Sequence, residues 1–279
     1  MEIRRSEKVG IHIISIKGQD LPLDAQKNVA GVAGLAMLEA HNPQLGFEIR
    51  IEKNIKPGSG IGSSAASAAG TVAGINYLLG NPFTNKELIP FAMEGERLAC
   101  GSAHADNVAP ALLGGFTLVR DTNPLDICAL PTPLELVATV IHPKIEVKTA
   151  DARAVLKERV TLEKAISQWG NVGALVSSLY EEDYDLLSRS LVDGIVEPAR
   201  SILIPYFKEL KAACKEGGAL GSGISGSGPS VFALSRGMST ANKVAQAMQS
   251  VLEETNIPFD IHVSPVKKTG VSFIEDLLT

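Results

Sequence analysis

The chain has few cysteines, no metal-ligand pattern among them and no excess of positive charge. Its cysteines, Cys100, Cys128 and Cys214, are odd in number and widely separated. We therefore expect reduced thiols, as in a cytosolic protein, and no disulfide framework or zinc site. The formal net charge is −5, which argues against a general affinity for nucleic acid, because such binding needs a positive surface.

The chain also lacks a long apolar run. Residues 57–85 carry no charged side chain, but Gly, Ser, Thr and Asn interrupt them, and their apolar part is shorter than the roughly 20 residues of a membrane span. The first ten residues include Glu2, Arg4, Arg5 and Lys8 and contain no apolar core of a signal peptide. We therefore expect a cytoplasmic protein without a membrane partner.

A glycine-rich loop between a predicted strand and a predicted helix is the most informative stretch. Phe47, Ile49 and Ile51 alternate with charged residues, which predicts a half-buried strand. Residues 65–79 are small and apolar, which predicts a buried helix. We call the segment around the junction, residues 56–67, the phosphate loop. Its residues are Lys56, Pro57, Gly58, Ser59, Gly60, Ile61, Gly62, Ser63, Ser64, Ala65, Ala66 and Ser67.

The chemistry of this loop suits a phosphate group. Its glycines let the backbone turn tightly and approach a ligand, and the start of a helix offers unpaired N–H groups and a partial positive charge. The loop is not a Walker A motif, because no Gly-Lys-Ser/Thr follows Gly62. It is not a dinucleotide fingerprint either, because a single residue separates Gly60 from Gly62. The plain alternative is a flexible turn with a serine cap.

The remaining pattern predicts an α+β protein with two domains. Helices and strands alternate irregularly after the proline-rich residues 123–133, which favours layered α+β structure over a doubly wound sheet. We place the domains at residues 1–130 and 131–279. The predicted strands are 9–17, 47–53, 116–120, 136–141, 219–224, 230–235 and 259–263, and the predicted helices are 29–41, 65–79, 84–99, 162–180, 183–193, 198–216 and 240–254, with another beginning near 150.

The phosphate loop resembles that of the GHMP kinases, a family of galacto-, homoserine, mevalonate and phosphomevalonate kinases. The family pattern is a proline, glycines and then Gly-Leu-Gly-Ser-Ser-Ala-Ala, and this chain carries Ile61 for the leucine. A second glycine stretch, residues 223–229, resembles the third motif of the family, although alone it would be a hairpin turn. The resemblance implies ATP as co-substrate, with Asn28 near the base unless Asn28 is only a helix cap. It also implies an S5-like N-terminal α/β domain with a left-handed crossover, and a ferredoxin-like C-terminal domain.

Phosphoryl transfer needs a divalent cation held by a carboxylate and often a hydroxyl group. Glu96 is the best carboxylate, because it ends a predicted helix beside a polar patch, and Ser64 is the best hydroxyl. From the residues alone, Glu96 is more simply an exposed helix carboxylate. The resemblance implies instead that Ser64 and Glu96 hold Mg²⁺.

The residues after Glu96 resemble the homoserine kinases in particular. His104 follows Glu96 after seven residues and precedes Asp106 and Asn107, where mevalonate and galactokinases place a catalytic aspartate. Asn107 cannot abstract a proton, so the implied mechanism relies on positioning and charge neutralisation. His104 is the nearby side chain of a type that titrates near neutral pH, and its alternative is a structural loop histidine.

The resemblance also implies a small amino-acid substrate. Arg153 and Arg200 match positions that bind a carboxylate, for which the arginine fork is suited, although each would otherwise be a surface arginine. Thr149 is implied to help place the substrate or the γ-phosphate. With His104 and Asn107 these residues imply phosphorylation of L-homoserine to O-phospho-L-homoserine in threonine biosynthesis, by a homodimer.

The resemblance begins near Val9 and runs to the end of the chain. The Asn-x-Gly-x-Gly-Phe-Asp type motif with which homoserine kinases begin does not precede Val9, so we expect the N-terminal sheet to lack an edge strand. Two alternatives stay open: another small-molecule kinase of the GHMP family, and a truncated, nucleotide-binding pseudokinase.

Overall fold

The structure, a computed structural model, describes residues 1–101, 103–145, 147, 152 and 154–274. The chain forms two compact units that are not continuous in sequence. The first contains Met1–Pro57, Gly62–Ala129 and Lys267–Thr279, and the second contains Gly58–Ile61 and Leu130–Val266. The residues of the phosphate loop are therefore shared between the two units. Residues 58–61 belong to the second unit, and the residues before and after them belong to the first.

The first unit contains a sheet of β1 (Glu2–Ser6), β2 (Gly10–Lys17) and β3 (Gly46–Glu52) in the order β1-β3-β2. β1 runs antiparallel and β2 parallel to β3. Helix α1 (Val29–His41) connects β2 to β3, and α2 (Ser63–Leu78), α3 (Ile89–Cys100) and α4 (Val108–Leu113) follow. Strands β4 (Phe116–Thr122) and β5 (Leu125–Leu130) form a two-stranded sheet.

Small residues let α1, α2 and α3 pack closely on this sheet. Ala30, Ala33, Ala68 and Ala69 are fully buried in the same core as Phe47. A Cβ atom on Gly95 of α3 would lie 2.6 Å from the carbonyl oxygen of Val29, so only glycine permits this approach. The close packing positions the start of α2 and the end of α3, where the predicted site residues Ser64 and Glu96 lie.

The second unit contains a sheet of β6 (Leu136–Pro143), β7 (Gly221–Ile224), β8 (Val231–Arg236) and β9 (Phe259–Pro265). Its order is β7-β8-β6-β9, and every neighbouring pair is antiparallel. This is the ferredoxin-like arrangement, as predicted. Among the described residues, this unit contains the helices α5 (Leu162–Glu181), α6 (Tyr184–Ser190), α7 (Glu197–Arg200), α8 (Phe207–Glu216) and α9 (Met238–Glu253).

Two predictions about elements were wrong, and two elements were not predicted. The single helix predicted at 198–216 ends at Arg200, continues as a 3-10 turn at Ser201–Leu203, and resumes at Phe207. Pro205 has no N–H to donate, and Tyr206 adopts a φ of +57°, so a continuous helix is not possible there. β5 lies in the stretch that we interpreted as irregular. The two elements that were not predicted are β1 and α4.

Among the described residues, no helix has the length and apolar character needed to cross a membrane.

Candidate functional site

In the first unit, the phosphate loop leads into α2 through a left-handed turn. Gly62 precedes the helix with φ +73° and ψ +27°, a conformation that favours glycine. Gly62 has no side chain with which to cap this helix start, and the Ser63 hydroxyl donates to the carbonyl oxygen of Ile55 at 2.6 Å. Within the described part of the chain, the first N–H groups of α2 are thus left without a side-chain acceptor, as an anion-binding helix start requires.

Lys53 lies beneath this helix start. Its ammonium nitrogen donates to the Ser63 carbonyl oxygen at 2.7 Å and to the Ser67 hydroxyl at 2.6 Å. Only 7% of the residue is exposed. Burial lowers the pKa of the Lys53 ammonium, and the carboxylate of Glu96 opposes that effect. The base of the loop therefore contains a buried cation close to a buried anion.

Glu96 is buried, in contrast to an ordinary helix carboxylate. It is 3% exposed, and its Oε1 atom has no hydrogen-bond partner among the described residues. Burial raises the pKa of Glu96, while the hydrogen bond from Ser64 lowers it; Asp106 raises it further, and His104 and Lys53 lower it. The alternative of an exposed carboxylate is wrong for Glu96, whereas the neighbouring Glu94 is partly exposed and pairs with Arg97.

Asn107 lies close to the turn that starts α2. A Cβ atom on Gly62 would lie 3.7 Å from the amide oxygen of Asn107. Asn107 begins α4 without capping it through its side chain, so the amide remains available to a ligand. His104 is exposed and acts electrostatically on Glu96. The structure thus brings Gly62, Ser64, Glu96, His104 and Asn107 together within the first unit.

In the second unit, the tip of the phosphate loop packs on the second glycine stretch. The Ser225 hydroxyl donates to the Gly60 carbonyl oxygen at 2.8 Å, and the Ser230 hydroxyl donates to the Ser59 carbonyl oxygen at 2.6 Å. A Cβ atom on Gly60 would lie 2.5 Å from the Ser225 carbonyl oxygen and 2.8 Å from that of Gly228. Two glycine-rich segments that are distant in sequence are therefore held in contact by hydrogen bonds.

Arg200 lies at the end of α7, beside the same glycine stretch. Its Nε atom donates to the carbonyl oxygen of Ala152 at 3.0 Å, and a terminal nitrogen donates to that of Gly226 at 3.3 Å. A guanidinium group has five N–H donors, so Arg200 retains donors for a carboxylate. Thr149 and Arg153, which we predicted as partners of Arg200, lie outside the described residues.

Asn28 is the N-cap of α1. Its side-chain oxygen accepts from the Ala30 N–H at 3.0 Å, and its amide nitrogen donates to the Pro22 carbonyl oxygen at 2.8 Å. The capping role is thus present, and a role toward the base of ATP stays a prediction. Lys56 and Ala66 are exposed, and Pro57 and Ile61 are partly exposed.

A cleft of about 610 Å³ along β2 contains none of the predicted site residues. It is lined mainly by residues 8–14 and 23–26. No cluster of three or more His, Cys, Asp or Glu side chains that could hold a metal ion occurs in the part of the chain that the structure describes. The candidate site is therefore defined by the loop and its polar neighbours.

Sequence reasoning missed Lys53 and Ser230. A signal for Lys53 existed, because it continues the inward spacing of Phe47, Ile49 and Ile51 along β3, and a lysine in that register must find buried partners. Ser230 directly follows the second glycine stretch, and its contact with Ser59 spans 171 residues. No local pattern could have indicated that contact.

Comparisons with known proteins identify the family of the chain. Residues 28–115 match the family model described as GHMP kinases N terminal domain, and residues 175–254 match the one described as GHMP kinases C terminal. The chain is 48% identical over 282 residues to a homoserine kinase of Chlorobium phaeobacteroides; the match covers 98% of this chain and 88% of that relative.

Solved structures give the same result. The chain resembles the crystal structure of homoserine kinase from Cytophaga hutchinsonii with a TM-score of 0.92 and 52% identity, over 96% of this chain and 86% of the other. It also resembles mevalonate kinase from L. major, with a TM-score of 0.66 and 18% identity over 95% of this chain and 85% of the other. That second likeness concerns the fold alone.

Proposed function

The chain belongs to the GHMP kinase family, and from this membership we propose that it transfers the γ-phosphoryl group of ATP to the hydroxyl of L-homoserine. The products are ADP and O-phospho-L-homoserine, an intermediate of threonine biosynthesis. The observation that best supports homoserine as the substrate is the 48% identity, over 98% of the chain, to a protein named homoserine kinase. The phosphate loop and its buried neighbours supply the chemistry.

The phosphate loop would bind the phosphates of ATP through backbone N–H groups. The uncapped start of α2 after Gly62 offers donors and a partial positive charge. The carbonyl groups of Ser59 and Gly60 are engaged by Ser230 and Ser225, which keeps these acceptors away from an anion. Asn28 would lie near the base. ATP bound in this way exposes its γ-phosphate to a nucleophile.

Ser64 and Glu96 fit a Mg²⁺ ion. Their oxygen atoms are of the hard type that Mg²⁺ prefers, and Glu96 Oε1 is a buried acceptor without a partner among the described residues. A buried anion of this kind is costly unless a cation or donors satisfy it. When bound there, Mg²⁺ would neutralise the charge on the phosphate oxygens. Burial raises the pKa of Glu96, and the nearby Lys53 ammonium opposes this effect by lowering it.

His104 and Asn107 would orient the acceptor hydroxyl. The Asn107 amide lies beside the turn at Gly62, where it can hydrogen-bond the hydroxyl but cannot take its proton. The loose transition state of phosphoryl transfer requires little deprotonation before bond formation. Catalysis would therefore depend on alignment of the hydroxyl with the γ-phosphate, with His104 holding the substrate in place.

Arg200 would bind the substrate carboxylate with Arg153, and Thr149 would help to place the substrate. The support for Arg200 is its fixed position, since two of its donors bond to backbone carbonyl oxygens. A guanidinium group held in this way presents its remaining donors in one direction, which suits a planar carboxylate. Such a site would favour alcohols that carry a carboxylate over sugars, which lack one.

We also keep as proposals a homodimer, a cytoplasmic location, and the assignment of residues 1–130 to an ATP-binding domain and 131–279 to a C-terminal kinase domain.

A coupled assay of ADP release over a panel of small alcohols tests the proposed function. Homoserine should be turned over with the highest kcat/KM. Faster turnover of mevalonate, galactose or phosphomevalonate would show that the protein acts on another substrate of the family and not on homoserine. Binding of ATP without release of ADP for any alcohol would indicate a nucleotide-binding protein without kinase activity.

A further inference from the structure

A buried chain of hydrogen bonds in the second unit runs from a histidine of the sheet to the phosphate loop. The Nδ1 atom of His142 lies 3.1 Å from the Ser230 hydroxyl oxygen, which lies 2.6 Å from the carbonyl oxygen of Ser59. The exposed fractions of His142, Ser230 and Ser59 are 5%, 0% and 1%. Water is thus kept from the bonds that join the sheet to the loop.

The donor and the acceptor in each of these two hydrogen bonds follow from the number of protons available. The Ser59 carbonyl oxygen can only accept, so the one proton of the Ser230 hydroxyl is used in that bond. His142 Nδ1 must then carry a proton and donate it to the Ser230 oxygen. This assigns the ring protonation at Nδ1 from the hydrogen-bond network. His142 therefore orients the Ser230 hydroxyl toward Ser59.

Strand pairing places His142 and Ser230 opposite each other. The last bonded pair of β6 and β8 is Ile141 with Val231, and in an antiparallel register the next pair is His142 with Ser230. Such opposed side chains lie on the same face of the sheet. The turn between β7 and β8 is closed by the bond from the Ser225 N–H to the Ser230 carbonyl oxygen at 2.8 Å, which fixes the position of both serines.

The two serines hold two successive peptide groups of the loop. Ser230 binds the Ser59 carbonyl, and Ser225 binds that of Gly60. Because a peptide group is planar and trans, fixing the Ser59 carbonyl also fixes the N–H of Gly60, which points the opposite way. The orientation of a backbone donor in the phosphate loop thus depends on the Ser230 hydroxyl.

We propose that His142 is a positioning residue for the phosphate loop, which acts by holding the Ser230 hydroxyl on the carbonyl oxygen of Ser59. This inference rests on the proposed binding of ATP phosphates by the loop. His142 need not touch ATP or homoserine for this role. Its loss should weaken the binding of ATP and leave the KM for homoserine unchanged, because the substrate residues belong to other segments.

The test measures the dissociation constant of a non-hydrolysable ATP analogue by calorimetry, and the KM values of ATP and homoserine. Ser230→Ala should weaken ATP binding roughly tenfold, and His142→Leu roughly threefold, since one or two buried hydrogen bonds are lost. His142→Asn keeps an N–H donor near the place of Nδ1 and should restore most of the affinity. The double variant should bind ATP no more weakly than Ser230→Ala alone, because His142 acts through Ser230.

Thr139→Val is the matched control. Thr139 lies on the same strand, is fully buried, and donates to the carbonyl oxygen of Ala241 at 3.2 Å, away from the loop. Its loss removes a buried hydrogen bond of similar kind. ATP affinity equal to that of the wild type is expected for this variant, and a loss equal to that of His142→Leu would show that any weakened packing has the same effect.

A measurement on the unmodified protein covers the case in which a variant fails to fold. In ¹⁵N–¹H spectra of the histidine rings, His142 should show a protonated Nδ1 whose resonance shifts when the ATP analogue binds. An unprotonated Nδ1, or additive losses in the double variant, would overturn the inference while the proposed function stands. A wild-type protein that does not bind the analogue would overturn the proposed function and, with it, this role of His142.

Discussion

The ammonium nitrogen of Lys53 lies 2.7 Å from the carbonyl oxygen of Ser63, which joins the end of β3 to the first turn of α2. Lys53 directly follows β3, and α2 begins at Ser63, so this bond closes the base of the connection that contains the first part of the phosphate loop. A charged side chain in this buried position, near Glu96, links the stability of the fold to the electrostatics of the site.

Lys53→Met should change how the free energy of unfolding depends on pH. Burial lowers the pKa of Lys53 in the folded protein below its ordinary 10.5. At pH values between the folded pKa and 10.5, the unfolded chain therefore holds a proton on Lys53 that the folded chain has released. Stability rises with pH wherever the unfolded state binds more protons. Denaturant unfolding should therefore show wild type gaining stability over Lys53→Met as the pH approaches 10.5; a flat or falling difference would contradict the lowered pKa.

Glu96→Gln should reduce turnover by about a hundredfold or more, because the variant loses the anion that would hold the cation at the transferring phosphoryl group. Steady-state kinetics at several Mg²⁺ concentrations would measure the loss and any rise in the Mg²⁺ requirement. Glu94→Gln on the same helix removes a partly exposed carboxylate paired with Arg97. This variant should leave turnover nearly unchanged, since surface ion pairs contribute little.

Unfolding should not explain the loss of activity in Glu96→Gln. Burial raises the pKa of Glu96 above its ordinary 4.5, so the stability that the carboxyl group contributes is lost as pH rises through the folded pKa. At neutral pH the Gln variant should thus be at least as stable as the wild type. Equal turnover by the Glu94 and Glu96 variants would show that Glu96 does not serve the reaction.

Gly58→Ala and Gly60→Ala should have unequal effects. Their φ angles are similar, +76° and +78°, so each alanine carries a strain of roughly 1–2 kcal/mol. A Cβ atom on Gly58 meets nothing within 4 Å, whereas one on Gly60 lies 2.5 Å from the Ser225 carbonyl oxygen. Calorimetry should find ATP affinity nearly kept in Gly58→Ala and lost in Gly60→Ala.

A related variant, Gly62→Val, should fold but fail to bind ATP, because φ is +73° and the added side chain approaches Asn107. Unchanged ATP affinity in both Gly60→Ala and Gly62→Val would remove the loop from the nucleotide site. Thermal unfolding of each variant separates a loss of binding from a loss of fold.

Arg200→Lys should raise the KM for homoserine by about tenfold or more and leave the KM for ATP unchanged, because a lysine cannot reproduce the planar fork. Arg236→Lys is the control in the same unit: Arg236 is exposed and pairs with Glu135, so its replacement should change neither constant. A parallel rise of both KM values in Arg200→Lys would indicate a structural role, through its bonds to Ala152 and Gly226.

Local patterns predicted the parts of the fold that depend on local physics. Alternation along Phe47, Ile49 and Ile51 and the small residues after Ser64 gave β3 and α2, and both are present. The capping pair Thr84 and Glu87 forms as predicted, with the Thr84 N–H donating to Glu87 Oε2 at 2.8 Å, although the helix itself begins at Ile89.

Features that depend on distant partners could not be predicted from the sequence. β1 consists largely of charged residues, so its sequence pattern does not indicate a strand, and it forms by pairing with β3. The burial of Glu96 depends on the packing of α3 against α1 and α2, and the contact of Ser230 with Ser59 depends on the register of β6 and β8. These are the relationships from which the site is built.

Direct detection of the product tests the central claim most sharply. Incubation of the protein with ATP and L-homoserine, followed by ³¹P NMR, should show O-phospho-L-homoserine and ADP appearing in equal amounts. No signal from phosphorylated homoserine, in a sample that binds ATP, would contradict the account.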